Sequence, residues 1–296
     1  MKSIKECVCP LNIGFIGTGV MGASVVKHLI KAGHELFIYT RTAEKAAPLI
    51  ELGAVWLESP KLVAEKAEVI FTMVGYPKDV EEVYFGDNGI LHHAKEGAVV
   101  VDMTTSQPIL AERIYKEAVK NGVQSLDAPV SGGDIGAQNG TLSIMVGGER
   151  KVFDELAPIF DLFGNTIVYH GEAGAGQHAK MCNQIVVASN MIAICEALIY
   201  AKGAGLDQEE MLRSVTTGAA GSWALSNLAP RIIKGDYAPG FYIKHFVKDM
   251  RIACEEADRL DLDLPGLKLT LSKYEQLEDE GHGNKGTQAL YELYDR

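Results

Sequence analysis

Residues 12–41 read NIGFIGTGVMGASVVKHLIKAGHELFIYTR, and this stretch decides the fold of the N-terminal half. The apolar run Asn12-Ile13-Gly14-Phe15-Ile16 ends in Gly17-Thr18-Gly19-Val20-Met21-Gly22. A helical pattern then runs from Val20 to Ala32, stops at Gly33, and gives way to a second apolar run, Leu36-Phe37-Ile38-Tyr39. A lone GxGxxG is a weak signal; the strand–helix–strand frame around it gives it weight. In that frame Gly17 allows the tight turn, Gly19 lets the backbone approach a pyrophosphate, and Gly22 lets the helix pack on the strand. The free N–H groups and positive dipole end of the helix hold the anion. Gly17, Thr18, Gly19, Val20, Met21 and Gly22 are therefore read as dinucleotide contacts.

The second strand ends in Thr40-Arg41-Thr42. Where NAD is preferred, this position usually carries Asp or Glu for the ribose 2′-OH. A guanidinium and two hydroxyls suit a 2′-phosphate better. Arg41 and Thr42 are thus assigned to the cofactor, with NADP(H) favoured and NAD(H) as the alternative. Thr42 also stands where it would cap a helix reading TAEKAAPLIEL.

Working outward, strand patterns alternate with helical ones: Val69 to Val74, Ala98 to Asp102, Val123 to Asp127, Leu142 to Val146 and Thr166 to Tyr169. Runs such as VIFTMV, apolar on both faces, belong in a parallel sheet. Residues at the C-terminal ends of such strands meet ligands; Val74 is read as a cofactor contact, and Thr105 reads equally as a contact on the nicotinamide side or as a helix cap. Ser131-Gly132-Gly133, after another strand, can turn successive N–H groups toward one point as an anion nest. Residues 11–172 are read as one Rossmann-type, doubly wound α/β domain.

After Gly171 strand signals stop, and residues 173–296 are read as an all-helical domain for substrate binding and oligomerisation. It opens on a long helix between Gly174 and Gly205 that joins the two halves, apolar on nearly every face and so expected to be buried all round. Lys180, Asn183 and Gln184 share one face near its start at i, i+3 and i+4. Converging polar groups at the start of a buried helix cost free energy unless something binds them. The site is expected in the cleft between domains. Trp223 is expected to pack and Phe241 to line the pocket.

The chain has 296 residues, enough for two domains, with 47% apolar residues and a net charge of −11. That charge argues against nucleic acid and an anionic membrane surface, which need a basic footprint, but not against a small anionic substrate. Five cysteines, Cys7, Cys9, Cys182, Cys195 and Cys254, imply reduced thiols rather than a disulfide framework. No metal is expected, since neither the Cys7/Cys9 pair nor the histidines have further ligands at matching spacing. Pro10 and Asn12 interrupt any leader-like run, and Asn190 and Glu196 interrupt the longest apolar one, so a cytoplasmic protein with no membrane span is expected.

Four stretches together resemble the β-hydroxyacid dehydrogenases: GFIGTGVMG from Gly14, DAPVSGG from Asp127, GEAGAGQ from Gly171 continuing to Lys180 and Asn183-Gln184, and KDMR from Lys248. The resemblance covers nearly the whole chain in order. It implies a catalytic Lys180, a loop Ser131-Gly132-Gly133 binding the substrate carboxylate, and substrate contacts from Asn183, Gln184, Phe241 and Asp249. It also places Thr105 and Lys248 near the nicotinamide. Gln184 stands where many members have asparagine, and the tail pattern after Gly281-His282-Gly283 departs from the family's. The implied activity is hydride transfer between NAD(P) and the 3-hydroxyl or semialdehyde carbon of a small acid, as in 3-hydroxyisobutyrate dehydrogenase. A glyoxylate/succinic semialdehyde or tartronate semialdehyde reductase is the runner-up, and a non-catalytic NADP(H)-binding module the reading from another class. The apolar helices suggest a homodimer or homotetramer.

Overall fold

A computed structural model describes residues 10–296, which form two compact units dividing after Lys180. Cys7 and Cys9 lie outside the described residues. In the first unit the order is β1 (Asn12–Ile16), α1 (Val20–Lys31), β2 (Glu35–Tyr39), α2 (Ala47–Ile50), β3 (Val55–Trp56), α3 (Pro60–Ala64), β4 (Val69–Thr72), α4 (Pro77–Phe85), β5 (Val99–Asp102), α5 (Pro108–Lys120), β6 (Gln124–Asp127), β7 (Val130–Ser131), α6 (Gly133–Asn139), β8 (Leu142–Gly148), α7 (Arg150–Phe160) and β9 (Gly164–Gly171).

The strands lie in the order β3-β2-β1-β4-β5-β6-β8-β7, with β9 on β8. The first six are parallel, in the doubly wound order with its reversal between β1 and β4. β8 then runs antiparallel to β6 and β7 and parallel to β9. Alternate residues feed two cores: Phe15, Ile38, Phe71 and Val101 join one, and Ile16, Phe37, Ile70 and Val100 the other. Every residue of β4 is buried, as a strand covered on both faces requires. The helix expected after Thr42 is a 3₁₀ turn, Ala43–Ala46, followed by the single turn of α2, with Pro48 at its start.

α8 (Ala175–Gly203) begins in the first unit and continues through the second. The second unit continues with α9 (Gln208–Val215), α10 (Trp223–Asn227), α11 (Ala229–Ile233), α12 (Ile243–Arg259) and α13 (Pro265–Asp279), then a 3₁₀ segment, Thr287–Leu293. Its core gathers Met191, Leu198, Phe246, Met250 and Tyr274. Residues 223–233 form two short helices rather than one, because Pro230 at the start of α11 has no N–H to continue the ladder.

Two expectations are corrected. α8 is not buried all round, since Val186 is 59% and Tyr200 77% exposed. Trp223 does not pack into the core either; it is 66% exposed at the first position of α10.

Candidate active site

The Gly17–Gly22 turn is shaped by what it leaves open. Gly17 has φ +98°, and a Cβ there would meet the Met73 carbonyl oxygen at 2.1 Å. A Cβ on Gly22 would meet the Gly17 carbonyl oxygen at 2.2 Å, so this glycine serves close packing under the turn. Gly19 differs: nothing lies within 4 Å of its missing Cβ. It is the N-cap of α1, with no side-chain cap and no acidic residue in the first turn. Among the described residues, the buried hydroxyl of Thr18 finds no hydrogen-bond partner. An uncapped helix start, open space over Gly19 and an orphaned hydroxyl beside it fit a dinucleotide's phosphates.

At the end of β2, Arg41 is 78% exposed and its Nη1 donates to Asp79 Oδ1 at 3.3 Å. Asp79 also accepts the Tyr76 N–H at 3.1 Å, so its carboxylate is held by main chain as well. Thr42 precedes the 3₁₀ turn, but its side chain makes no capping bond. Val74 packs against the Gly17 turn, and its N–H donates to Thr104 Oγ1 at 3.0 Å.

Two acids at neighbouring strand ends, Asp102 and Asp127, organise the backbone beside this turn. They are register partners on β5 and β6, so their side chains leave the same face. Asp102 Oδ1 accepts the Thr72 hydroxyl at 2.9 Å and the Thr104 N–H at 3.0 Å. Its carboxyl is pushed up to about 6, chiefly by burial; bonds from Thr104 and Thr72 resist the shift, and the Asp127 charge adds to it. Asp127 accepts the Gly174 and Gln177 N–H groups, each at 2.8 Å, and so caps the start of α8. Burial raises its carboxyl, against these backbone bonds.

Gln177, fully buried on the first turn of α8, donates from Nε2 to the Thr104 carbonyl at 2.7 Å and accepts the Ser106 N–H at Oε1 at 3.0 Å. Thr105 lies between the two clamped residues. Lys180 comes one turn after Gln177 and is itself buried, 6% exposed. In the sequence-predicted loop, Gly132 has φ +128° and Gly133 φ +63°, values that favour glycine. α6 starts there, and His28 of α1 reaches the carbonyls of Ala137 and Gln138 at its other end, 3.0 and 3.1 Å away.

In the second unit, Asn183 Nδ2 donates to Gln184 Oε1 and Gln184 Nε2 donates to Asp249 Oδ2, both at 2.6 Å. Lys248 Nζ lies 2.7 Å from Asp249 Oδ1, an ion pair rather than an aligned hydrogen bond. Gln184 and Asp249 are both 2% exposed. Phe241 stacks beside Phe246, ring centroids 5.3 Å apart, at the edge of the core. Among the described residues no cluster of His, Cys, Asp or Glu is gathered as for a metal ion. Sequence reasoning missed Asp102, Asp127, Gln177 and His28. Asp102 stood only as the last residue of an expected strand, while Asp127 and Gln177 stood in the DAPVSGG and GEAGAGQ stretches with no role of their own.

Residues 12–171 match the sequence family described as the NAD binding domain of 6-phosphogluconate dehydrogenase. Residues 174–294 match the one described as the NAD-binding region of NADP-dependent 3-hydroxyisobutyrate dehydrogenase. An uncharacterised oxidoreductase of Bacillus subtilis is 56% identical over 283 residues, 96% of this chain and 98% of that one. The 2-hydroxy-3-oxopropionate reductase of Escherichia coli is 42% identical over 255 residues, 86% of this chain and 87% of that one. A Mycobacterium tuberculosis 3-hydroxyisobutyrate dehydrogenase, solved with L-serine, is similar in structure with a TM-score of 0.89. It is 27% identical and covers 97% of this chain and 100% of that one.

Proposed function

We propose that this chain, which belongs to the β-hydroxyacid dehydrogenase family and is an NAD(P)-dependent oxidoreductase, acts at the 3-hydroxyl or semialdehyde carbon of a small carboxylic acid, with NADP(H) the favoured carrier. The observation that carries the reading is a lysine 6% exposed, on a helix whose start is tied to the sheet end. It shares one helix face with Asn183 and Gln184, at i+3 and i+4, in the stretch that the family resemblance covers. When bound, the nicotinamide supplies or accepts the hydride. Lys180 handles the proton: as ammonium it donates to the developing alkoxide, and as amine it takes the hydroxyl proton. Ser131, Gly132 and Gly133 hold the substrate carboxylate, which positions the reacting carbon. Asn183, Gln184, Phe241 and Asp249 complete the substrate contacts. Thr105 and Lys248 face the nicotinamide, and Arg41 with Thr42 takes the 2′-phosphate.

The similarity to the 2-hydroxy-3-oxopropionate reductase supports a second reading, in which a semialdehyde is reduced. The test is turnover of 3-hydroxyisobutyrate with NADP⁺ and NAD⁺, and of 2-hydroxy-3-oxopropionate with NADPH and NADH, in wild type and Lys180→Ala. The variant is expected to lose roughly 10²–10⁴-fold in turnover while still binding NADPH. Turnover within tenfold of wild type removes Lys180 from the reaction. Val186, Ala193 and Tyr200 are exposed at seven-residue spacing along α8, which supports a homodimer or homotetramer built on that face. We place the enzyme in the cytoplasm, with no nucleic-acid or membrane partner.

A further inference from the structure

We propose that Gln177 is a positioning residue for catalysis: its carboxamide locks the segment carrying Thr105 to the helix turn that carries Lys180, so that the two keep one geometry. The inference rests on Lys180 being the proton carrier. It stands on a bond pattern that needs a donor and an acceptor side by side on one side chain, which the carboxamide supplies. Nε2 donates to the carbonyl just before Thr105, and Oε1 accepts the N–H just after it, at 2.7 and 3.0 Å. A carboxylate has acceptors only, and an apolar chain has neither group. The amide is fully buried, so water cannot take over either bond.

The attachment is rigid at both ends. On the helix side, Asp127 takes the main-chain N–H groups of Gly174 and Gln177 itself, fixing the turn from which the amide projects. A Cβ on Gly176 would come within 2.7 Å of the Asp127 carbonyl and 2.8 Å of its carboxylate, so the turn sits directly on the end of β6. On the segment side, Asp102 takes the Thr104 N–H, and the Thr104 hydroxyl takes the Val74 N–H. Gln177 and Lys180 are three residues apart on α8 and therefore neighbours on one face. A shift of the segment past the helix would change where Thr105 stands relative to the lysine. Misplacement on the scale of 1 Å can cost about 100-fold in rate.

The experiment compares wild type, Gln177→Glu, Gln177→Met and Lys180→Ala, each as the full chain with NADPH and 2-hydroxy-3-oxopropionate, or NADP⁺ and 3-hydroxyisobutyrate. NADPH affinity is read separately by its fluorescence. Gln177→Glu keeps the acceptor for Ser106 and turns a second acceptor on the Thr104 carbonyl; Gln177→Met keeps the length and loses both bonds. Both are expected to lower kcat at least tenfold, with KM for the acid and NADPH affinity within about threefold of wild type. The proposal is overturned if both folded variants keep kcat within threefold. It is equally overturned if kcat falls only in step with NADPH binding, or if neither variant accumulates folded, since the amide is then a structural tie alone. An inactive Lys180→Ala beside undiminished Gln177 variants sinks only the role of Gln177. An active Lys180→Ala sinks the lysine reading beneath it.

Discussion

The two units hold buried carboxylates in opposite ways. In the first, Asp102 and Asp127 stand side by side at strand ends, and their described donors are main-chain N–H groups and a threonine hydroxyl. In the second, Asp249 takes the ammonium of Lys248 and the carboxamide of Gln184. The first arrangement fixes backbone: a helix start and a strand-end segment. The second fixes long side chains and leaves backbone alone. Anions held by main chain cannot change partners without unfolding something, whereas Lys248 and Gln184 can exchange Asp249 for a ligand group by rotating. The same residue type thus builds scaffold in one unit and adjustable side-chain contacts in the other.

The sharpest break of this comparison is Asp127→Ala. It leaves the buried Gly174 and Gln177 N–H groups without their acceptor, at about 1–3 kcal/mol each. A loss on the order of 3 kcal/mol is expected for the first unit, read as an earlier melt in the fluorescence of Trp56 while Trp223 reports the second unit. An unchanged Trp56 transition would show that the helix start holds without its cap. Next is Asp249→Ala, which takes the carboxylate away from an ammonium whose side chain is only 12% exposed and from the buried Gln184 carboxamide. Because the Lys248 stem can swing its charge toward water, roughly 2 kcal/mol is expected rather than the full cost of a broken buried pair. This loss should appear in the Trp223 transition. If both replacements act on both transitions equally, the division of labour between the two sites is wrong.

Legibility in the sequence divides along the same line. The Gly17–Gly22 turn, the order of strands and helices, and the span of α8 were legible because glycine spacing and hydrophobic period are local signals. Lys180 was singled out through its neighbours at i+3 and i+4, and it is buried. Asp102 was seen only as a strand end, and Asp127 only as a strand end that opens the DAPVSGG stretch, since their pairing depends on β5 lying beside β6, a fact of sheet order. The Gln177 bridge joins residues 71 and 73 positions apart, and no periodicity reports which carbonyl will face an amide. Uniform apolarity along α8 hid its open face, because covered and uncovered positions carry the same residue types. β7 and α6 escaped for another reason: two residues, and seven residues that include two glycines, are too short to show a period.

A smaller effect separates the two acids of the first unit. Asp102 stands at about 6 when folded, against an ordinary 3.8. Between those values the folded chain binds more protons than the unfolded one, so stability falls as pH rises through the window and levels off above it. Asp102→Asn keeps an acceptor for Thr72 and Thr104 and removes the titration. In urea denaturation, the variant's stability relative to wild type should improve by roughly 1–2 kcal/mol between pH of about 4 and about 7. A constant difference across that range would show that Asp102 is not the group that titrates.

The smallest stability effect, and the clearest functional one, is expected at Arg41. Its pair with Asp79 stands in the open, the guanidinium 78% exposed, and Asp79 keeps the Tyr76 N–H if the arginine is removed. Exposed pairs contribute about 0–1 kcal/mol, so Arg41→Ala should melt with wild type. The charge is held where a ligand can reach it, unlike the carboxylates sealed at the strand ends. If it takes a 2′-phosphate, KM for NADPH should rise about tenfold, or roughly 1.4 kcal/mol, while KM for NADH stays within twofold. Equal changes for both carriers would move Arg41 from cofactor selection to general electrostatics. No change for either would leave Thr42, whose hydroxyl makes no capping bond, as the group at the end of β2 to replace next.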